Sequence, residues 1–210
     1  MGRGNRHGQI YLEEEDYEIF LRLLRAVQNR RPFILHAYCL MTNHFHLELT
    51  TKSDPIWKIM QPLMNHYART FNQKNGFQGH LFDGRYASCI IENERYFLEV
   101  SRYIHLNPVK AGMVREPLDY EYSSYRCYVD ESAQDRVAQN KKQDNVIVPD
   151  TERVLSAFGG DSGAFGGDPG AFGGDPREEY RMFVERKIPH PEHETQIMKD
   201  IKENELWLPW

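Results

Sequence analysis

Two apolar segments that lie close together in the chain most strongly constrain its fold. The first, RPFILHAYCLM at 31–41, is almost continuously apolar, which is typical of a buried strand. The second, FHLELTT at 45–51, alternates apolar and polar residues, as a half-buried strand does. Together they predict neighbouring strands of a sheet.

Helical patterns flank these strands at 13–30, 54–76 and 93–106. The first has acidic residues at its start and arginines at its end, which suits the helix dipole. The second opens with Asp-Pro and ends with Asn-Gly, and Pro62 inside it predicts a kink. RYASCII at 85–91 predicts a further strand. This order of elements predicts an α+β fold with a mostly antiparallel sheet and packed helices.

The composition changes after Tyr128, so we predict three regions: a globular domain at 1–130, a polar linker with a Gly-rich repeat at 131–176, and a short helical tail at 177–210. The repeat, AFGGDSG, AFGGDPG and AFGGDPR, has a period of seven residues, which is too short for a solenoid unit. Gly-Gly-Asp-Pro favours turns, so we interpret the repeat as a flexible appendage.

The phenylalanines of the repeat allow a second interpretation. They recur once in each copy and could stack on bases in principle: Phe158, Phe165 and Phe172. A flexible insertion is the favoured interpretation, because Gly-rich repeats of this length do not build packed elements.

Charge, hydropathy and cysteine usage narrow the class of protein. The net charge of −5 argues against a generic nucleic-acid binder, but residues 1–130 hold 16 Lys and Arg against 15 Asp and Glu. No apolar run approaches the ~18 residues that a membrane span needs, so we expect no membrane association. The odd number and wide spacing of Cys39, Cys89 and Cys127 favour reduced thiols in the cytoplasm.

A His-x-His pair stands in MTNHFHLEL at 41–49. On a strand, residues two apart point the same way, so His44, His46 and Glu48 share one face. Two imidazoles at this spacing can bind one cation, but the pair alone does not define a metal site and needs a third ligand from elsewhere.

SRYIHLNPVKAG at 101–112 offers that ligand. Tyr103 and Asn107 share a helix face, whereas His105 points elsewhere. Asn107 could bind a metal beside the tyrosine. Alternatively, it caps a second short helix from Pro108 to Ala111 and Tyr103 is a core aromatic. Spacing alone favours the second interpretation.

Five motifs together resemble the single-tyrosine HUH transposases, most closely the branch associated with repetitive extragenic palindromes. They are RGNRHGQIYLEEEDYEIFLRLL, CLMTNHFHLEL, GHLFDGRYAS, SRYIHLNPVKAG and DYEYSSY, in the order and rough spacing of that family, and they run from about Arg3 to Tyr128. The resemblance implies the ferredoxin-like HUH endonuclease fold for residues 1–130.

The resemblance also implies a chemistry. His44 and His46 match the HUH pair, Tyr103 the catalytic tyrosine, and Asn107 the polar third ligand. Members cut single-stranded DNA, often beside a hairpin, and form a 5′-phosphotyrosine link that a free 3′-OH reverses. The three ligands leave positions on Mg²⁺ or Mn²⁺ for a scissile phosphate oxygen, and no nucleotide cofactor is needed.

Three positions depart from the family pattern. Only Met1 and Gly2 precede Arg3, so the family's first strand is expected to be missing, either from the sheet or because the true start lies upstream. Thr42 stands where proline is common. Glu48 stands at a usually apolar position, as a further metal contact or, in the favoured interpretation, as a solvated neighbour of the site.

The expected partner is single-stranded or hairpin DNA. Candidates for phosphate contact and base stacking are Arg85, Tyr86, Arg69, Lys74 and Arg102. The link from the 85–91 segment to the tyrosine helix is short, which favours a tyrosine acting in its own chain and a monomer over a homodimer.

Two other functions fit the same residues. In one, the metal activates water for phosphodiester hydrolysis and Tyr103 is structural. In the other, the chain is an inactive relative that only binds nucleic acid, which the expected loss of the first strand and the repeat would explain.

Overall fold

A three-stranded antiparallel sheet lies at the centre of the computed structural model, which describes residues 1–133, 147–159 and 174–186. The strands are β1 (Gly2–Arg3), β2 (Phe33–Met41) and β3 (His44–Thr51), in the order β1-β3-β2. Met41 pairs with His44. Only Thr42 and Asn43 therefore separate β2 from β3, and the two strands form a tight hairpin.

The structure gives bounds for six α-helices packed around this sheet: α1 (Glu14–Arg30), α2 (Ile56–Asn75), α3 (Glu94–Lys110), α4 (Tyr125–Val129), α5 (Glu152–Ser156) and α6 (Pro176–Glu185). At the start of α1 the backbone N–H of Glu13 donates to Asp16 Oδ2 at 3.0 Å. α2 continues through Pro62 to Asn75 and is capped by Gly76, whose φ of 65° favours glycine.

The two faces of the sheet carry different helices. α1 and α2 cover one face, where Phe20 of α1 and Leu63 of α2 join Phe45 in one apolar cluster. α3 covers the other face through a cluster of β2 and α3 side chains: Ala37, Cys39, Met41, Val100, Tyr103 and Ile104. The opposed pairs Cys39–His46 and Ala37–Glu48 put the side chains of His46 and Glu48 on the α3 face.

Irregular backbone covers both edges of the sheet. Residues 122–124 lie along β2, where the backbone N–H of Leu40 donates to the Tyr122 carbonyl at 2.9 Å. Residues 81–87 lie along the N-terminal segment, where the backbone N–H of Asp83 donates to the Arg3 carbonyl at 3.0 Å. These contacts satisfy backbone groups that an edge strand otherwise leaves open.

Two sequence-based expectations change. The predicted strand at 85–91 has no regular secondary structure, and Ile90 within it is 85% exposed, so its apolar pattern does not reflect packing in a sheet. The family's first strand, which the sequence places ahead of Arg3, stays an expectation; the strand at Gly2–Arg3 is two residues long. α3 continues through Pro108 to Lys110, so the interpretation of Asn107 as the cap of a second helix was wrong.

A third apolar cluster joins α3 to the C-terminal part of the chain. Its members are Phe97, Leu98, Tyr125, Tyr128, Val154, Phe158, Tyr180 and Val184. Phe158, from the first copy of the repeat, is 1% exposed and lies 5.5 Å from the Tyr180 ring, so it is not available for base stacking. Phe165 and Phe172 lie outside the described residues. None of the helices in the described ranges is long and apolar enough to cross a membrane.

Candidate active site

His44 and His46 lie side by side on the α3 face of β3. Their ring centroids are 4.9 Å apart and the ring planes are 85° apart. Burial, together with the positive charges of Arg3 and the N-terminus, lowers the pKa of His44 to about 4. Burial, together with the charge of His44, also holds the pKa of His46 well below its usual value. Both imidazoles are therefore neutral at pH 7 and keep a lone pair for a metal ion.

Asn43 fixes the tautomer of His44. Its Oδ1 lies 2.7 Å from His44 Nδ1, and its Nδ2 donates to the His7 carbonyl at 3.3 Å. An amide oxygen only accepts hydrogen bonds, so His44 Nδ1 carries the proton and Nε2 carries the lone pair. Sequence reasoning missed Asn43, although its position directly before the first histidine of the pair was a signal.

Tyr103 of α3 packs against the histidine pair of the same chain. Its ring centroid is 5.5 Å from that of His46 with the planes 88° apart, and Lys110 Nζ lies 5.1 Å from the Tyr103 ring centroid. Tyr103, His46 and Glu48 line one cleft of about 510 Å³. Tyr103 is only 5% exposed, and it lines this cleft.

Asn107 follows Tyr103 by one helical turn and is buried. Its Nδ2 donates to the Tyr103 carbonyl at 2.9 Å, which leaves Oδ1 as the acceptor atom that a metal ion can use. Among the residues the structure describes, no group of three or more His, Cys, Asp and Glu side chains is placed to hold a metal. A third ligand would therefore come from another residue type, and the convergence of Asn107 with the two imidazoles stays a prediction.

Glu48 is not the solvated neighbour that the sequence favoured. It is 2% exposed, and within the described ranges neither carboxyl oxygen has a hydrogen-bond partner. Burial raises its pKa well above the usual value; the charge of Arg153 opposes this shift and the charge of Glu94 adds to it. Glu48 faces α3 and the interior of the protein. The sequence did not predict this burial, because the alternation along a strand does not show which element covers each face.

Two of the predicted DNA-binding cations have structural partners instead. Lys74 lies within 3.2 Å of carboxylate oxygens from three acidic residues, Glu13, Glu15 and Asp16. These charges more than balance its own, which argues against a phosphate contact.

Arg102 is the second such cation. Its Nη2 donates to the Arg186 carbonyl at 2.7 Å, and its guanidinium lies 5.1 Å from the Phe183 ring centroid. These contacts join α3 to α6, so they also argue against a role in DNA binding.

The other three candidates lie on open surfaces. Arg85 and Tyr86 line a cleft of about 910 Å³ beside α2. Tyr86 also lines the cleft that contains Tyr103. Arg69 lines a groove of about 680 Å³ between α1 and α2. Their contact with DNA stays a prediction.

Comparisons with known proteins agree with this architecture. Residues 5–107, which include His44, His46, Tyr103 and Asn107, match the family described as "Transposase IS200 like". The REP-associated tyrosine transposase of Escherichia coli (strain K12) is 23% identical over 123 residues, which cover 58% of this chain and 70% of that protein. A solved structure of a REP-associated tyrosine transposase bound to a REP hairpin has the same fold, with a TM-score of 0.51 and 22% identity over 62% of this chain and 76% of that chain. At residues 5–107 the chain therefore carries an IS200-like transposase domain.

Proposed function

We propose that this protein cuts single-stranded DNA beside a hairpin and transfers the strand through a 5′-phosphotyrosine on Tyr103, as a step of DNA transposition. The observation that carries this proposal is the Tyr103 ring, 5.5 Å from His46 in a cleft open to substrate. The relative solved with a REP hairpin supports a hairpin-bearing substrate.

The residues at this site fit a divalent cation, which we propose to be Mg²⁺ or Mn²⁺. His44, His46 and Asn107 would hold it through two neutral imidazoles and an amide oxygen. His44 Nδ1 donates to Asn43, which leaves Nε2 of His44 to bind the ion. Asn107 Nδ2 donates to the Tyr103 carbonyl, which leaves Oδ1 of Asn107 for the same purpose. When bound, the ion supplies polarisation of a non-bridging oxygen of the scissile phosphate.

The protein's own groups supply the nucleophile and its surroundings. The Tyr103 oxygen forms a bond to phosphorus as the bond from phosphorus to the 3′ oxygen breaks, and the 3′ oxygen leaves as a hydroxyl. Lys110 lies near the Tyr103 ring, where its positive charge stabilises the negative charge that develops on the phenol oxygen. Attack of a 3′-OH on the phosphotyrosine reverses the step, so the phosphodiester is conserved.

The free thiols favour a reducing compartment. Cys39 and Cys127 are buried, whereas Cys89 is exposed and forms no disulfide. An exposed thiol stays reduced in the cytoplasm, where DNA is accessible, so we propose a cytoplasmic protein.

The test is a denaturing gel of the protein after incubation with Mg²⁺ or Mn²⁺ and hairpin-bearing single-stranded DNA. We expect a denaturant-resistant adduct that carries the DNA fragment on the 3′ side of the cut, joined to Tyr103 through its 5′ phosphate. Tyr103→Phe should abolish the adduct and leave DNA affinity nearly unchanged, because it removes only a hydroxyl from a site whose affinity comes mainly from phosphate contacts.

The same experiment separates the other two functions. Equal cleavage by the Tyr103→Phe variant without an adduct would assign the activity to a phosphodiesterase that activates water. DNA binding without cleavage by any version would identify an inactive relative.

A further inference from the structure

A groove between α1 and α2 carries positive charge on an otherwise acidic chain. Four of its lining side chains are cationic: Arg30, Arg31, Lys58 and Arg69. None of the described residues that line it is Asp or Glu. The whole chain has a net charge of −5, so this groove is a local departure from its overall charge.

Most of this charge is not neutralised within the described parts of the chain. Arg31 and Lys58 share one acidic partner, Asp54, with both nitrogen–oxygen distances at 3.1 Å. Arg30 and Arg69 form no ion pair with the residues that the structure describes. Four cations and one anion leave a net positive surface that favours an anionic partner.

Trp57 adds an apolar platform to this charged surface. It is 52% exposed and lines both the groove and the neighbouring cleft beside Arg85. Lys58 Nζ lies 5.7 Å from the centroid of its ring. A flat aromatic ring next to cations suits an unstacked base with its phosphates.

The groove is continuous with the cleft of the proposed nucleophile. It shares Trp57, Gln61 and Asn65 with the cleft beside Arg85. That cleft in turn shares Tyr86 and Ser88 with the cleft that Tyr103 lines. One uninterrupted surface therefore leads from the catalytic tyrosine to Arg69.

We propose that this surface binds the single-stranded DNA that flanks the cleaved bond, with a base on Trp57 and phosphates at Arg30 and Arg69. The inference rests on the proposed function. A single strand fits better than a duplex, because only an unpaired base exposes a face that can stack on Trp57.

The test measures DNA binding in the Tyr103→Phe background, which prevents cleavage. The probe is a fluorescent oligothymidylate of about 20 nucleotides, longer than the ~4–16 that single-strand sites cover. Anisotropy titrations at several salt concentrations compare Arg69→Glu, Arg30→Glu and Trp57→Ala with Arg22→Glu. Arg22 is the matched control, because it is an exposed arginine of α1 that pairs with Glu18 and does not line the groove.

We expect each groove variant to weaken binding about tenfold, as loss of one stacked base or phosphate contact does. The arginine variants should also reduce the slope of log affinity against log salt by about 0.7, because each loses one phosphate contact on a single strand. Trp57→Phe should retain most of the affinity, because its ring still stacks. Unchanged thermal melting of each variant confirms that the fold is intact.

Equal affinity of Arg69→Glu and Arg22→Glu would overturn the inference, as would a loss confined to hairpin duplex with oligothymidylate binding unchanged. The adduct formed by the unsubstituted protein tests the proposed function separately. If the unsubstituted protein forms the adduct but the groove variants bind DNA normally, the groove inference alone is rejected. If the unsubstituted protein forms no adduct and binds no DNA, the groove inference and the proposed function are both rejected.

Discussion

At the scale of single residues, Glu48 lies in surroundings that disfavour its ionised form. Both carboxyl oxygens are buried, and they have no hydrogen-bond partner among the described residues. The neutral acid is therefore favoured in the folded state, and its pKa is raised well above the usual value.

We predict that Glu48→Gln stabilises the metal-free protein at neutral pH. The folded pKa is raised above the unfolded value of about 4.3, so the folded state binds more protons between the two values and stability falls as pH rises. Glutamine does not ionise, so the gain should exceed about 1 kcal/mol near pH 7.5 and vanish near pH 4. Urea unfolding with a chelator measures this difference. A constant difference between the variants across this range would show that Glu48 is ionised in the fold.

Asn43 provides a second prediction at this scale. Asn43→Ala removes the acceptor that holds the His44 proton on Nδ1, so Mn²⁺ affinity should fall about 10- to 100-fold. Asn43→Asp is the matched control, because its carboxylate still accepts that hydrogen bond. Calorimetric titration with Mn²⁺ measures both variants. Equal loss in the two, or no loss in either, would exclude Asn43 as a positioning residue.

How far the sequence could predict the site depends on what each signal encodes. Strand periodicity placed His44 and His46 on one face, and the motif in α3 placed Tyr103 beside them, because both relations are local or carried by the family pattern. The burial of Glu48 and the ion pairs of Lys74 depend on which distant elements cover them. Residue spacing does not encode those contacts.

At the scale of elements, a buried hydrogen-bond network attaches the tyrosine helix α3 to α6. His105 Nδ1 lies 2.7 Å from the Tyr180 hydroxyl, and Nε2 lies 2.7 Å from Ser124 Oγ. Ser101 Oγ also lies 2.6 Å from the Tyr180 hydroxyl. Burial lowers the pKa of His105 to about 3, so the network contains a neutral imidazole at pH 7. His105, which the helical spacing predicted to point away from the site, therefore has a structural role.

We predict that His105→Ala lowers the free energy of unfolding by about 3 kcal/mol, because it leaves a cavity and unpaired buried hydroxyls. Arg126→Ala, at an exposed position of α4, should change it by less than about 0.5 kcal/mol. Denaturant unfolding at pH 7 measures both. The adduct yield per folded molecule should be unchanged at low temperature, since His105 does not line the cleft. A stable variant with lost cleavage would instead assign His105 a role in the chemistry.

Helices and strands were predictable where the apolar residues of the sequence pattern are the ones that pack against the sheet. α1 and α2 match their amphipathic periods because each has one face on the sheet and one in solvent. The 85–91 segment shares the composition of a strand, but the edge strand beside it, β1, is only two residues long and offers few partners. The backbone N–H of Ala87 donates to the Met1 carbonyl at 2.9 Å. β1 itself is too short to leave a periodic signal.

At the scale of the whole molecule, the sheet separates two surfaces. The α3 face carries the proposed catalytic groups, and the α1–α2 face carries the positive groove. Residues 81–88 join these surfaces around the edge of β1, because Tyr86 and Ser88 line both the cleft beside Arg85 and the cleft at Tyr103. The C-terminal helices pack behind α3 and hold it against the sheet.

This arrangement predicts that Tyr103 acts with the histidines of its own chain, since its ring lies 5.5 Å from His46 without a second subunit. His46→Ala should lose cleavage through loss of the metal, and Tyr103→Phe through loss of the nucleophile. A mixture of the two inactive variants should form no adduct, because no chain then carries both groups. The gel assay of the mixture, with equal amounts of unsubstituted protein as the control, measures this directly. Recovery of an adduct in the mixture would show that subunits exchange their tyrosine helices, and the contact within one chain would then not be the catalytic one.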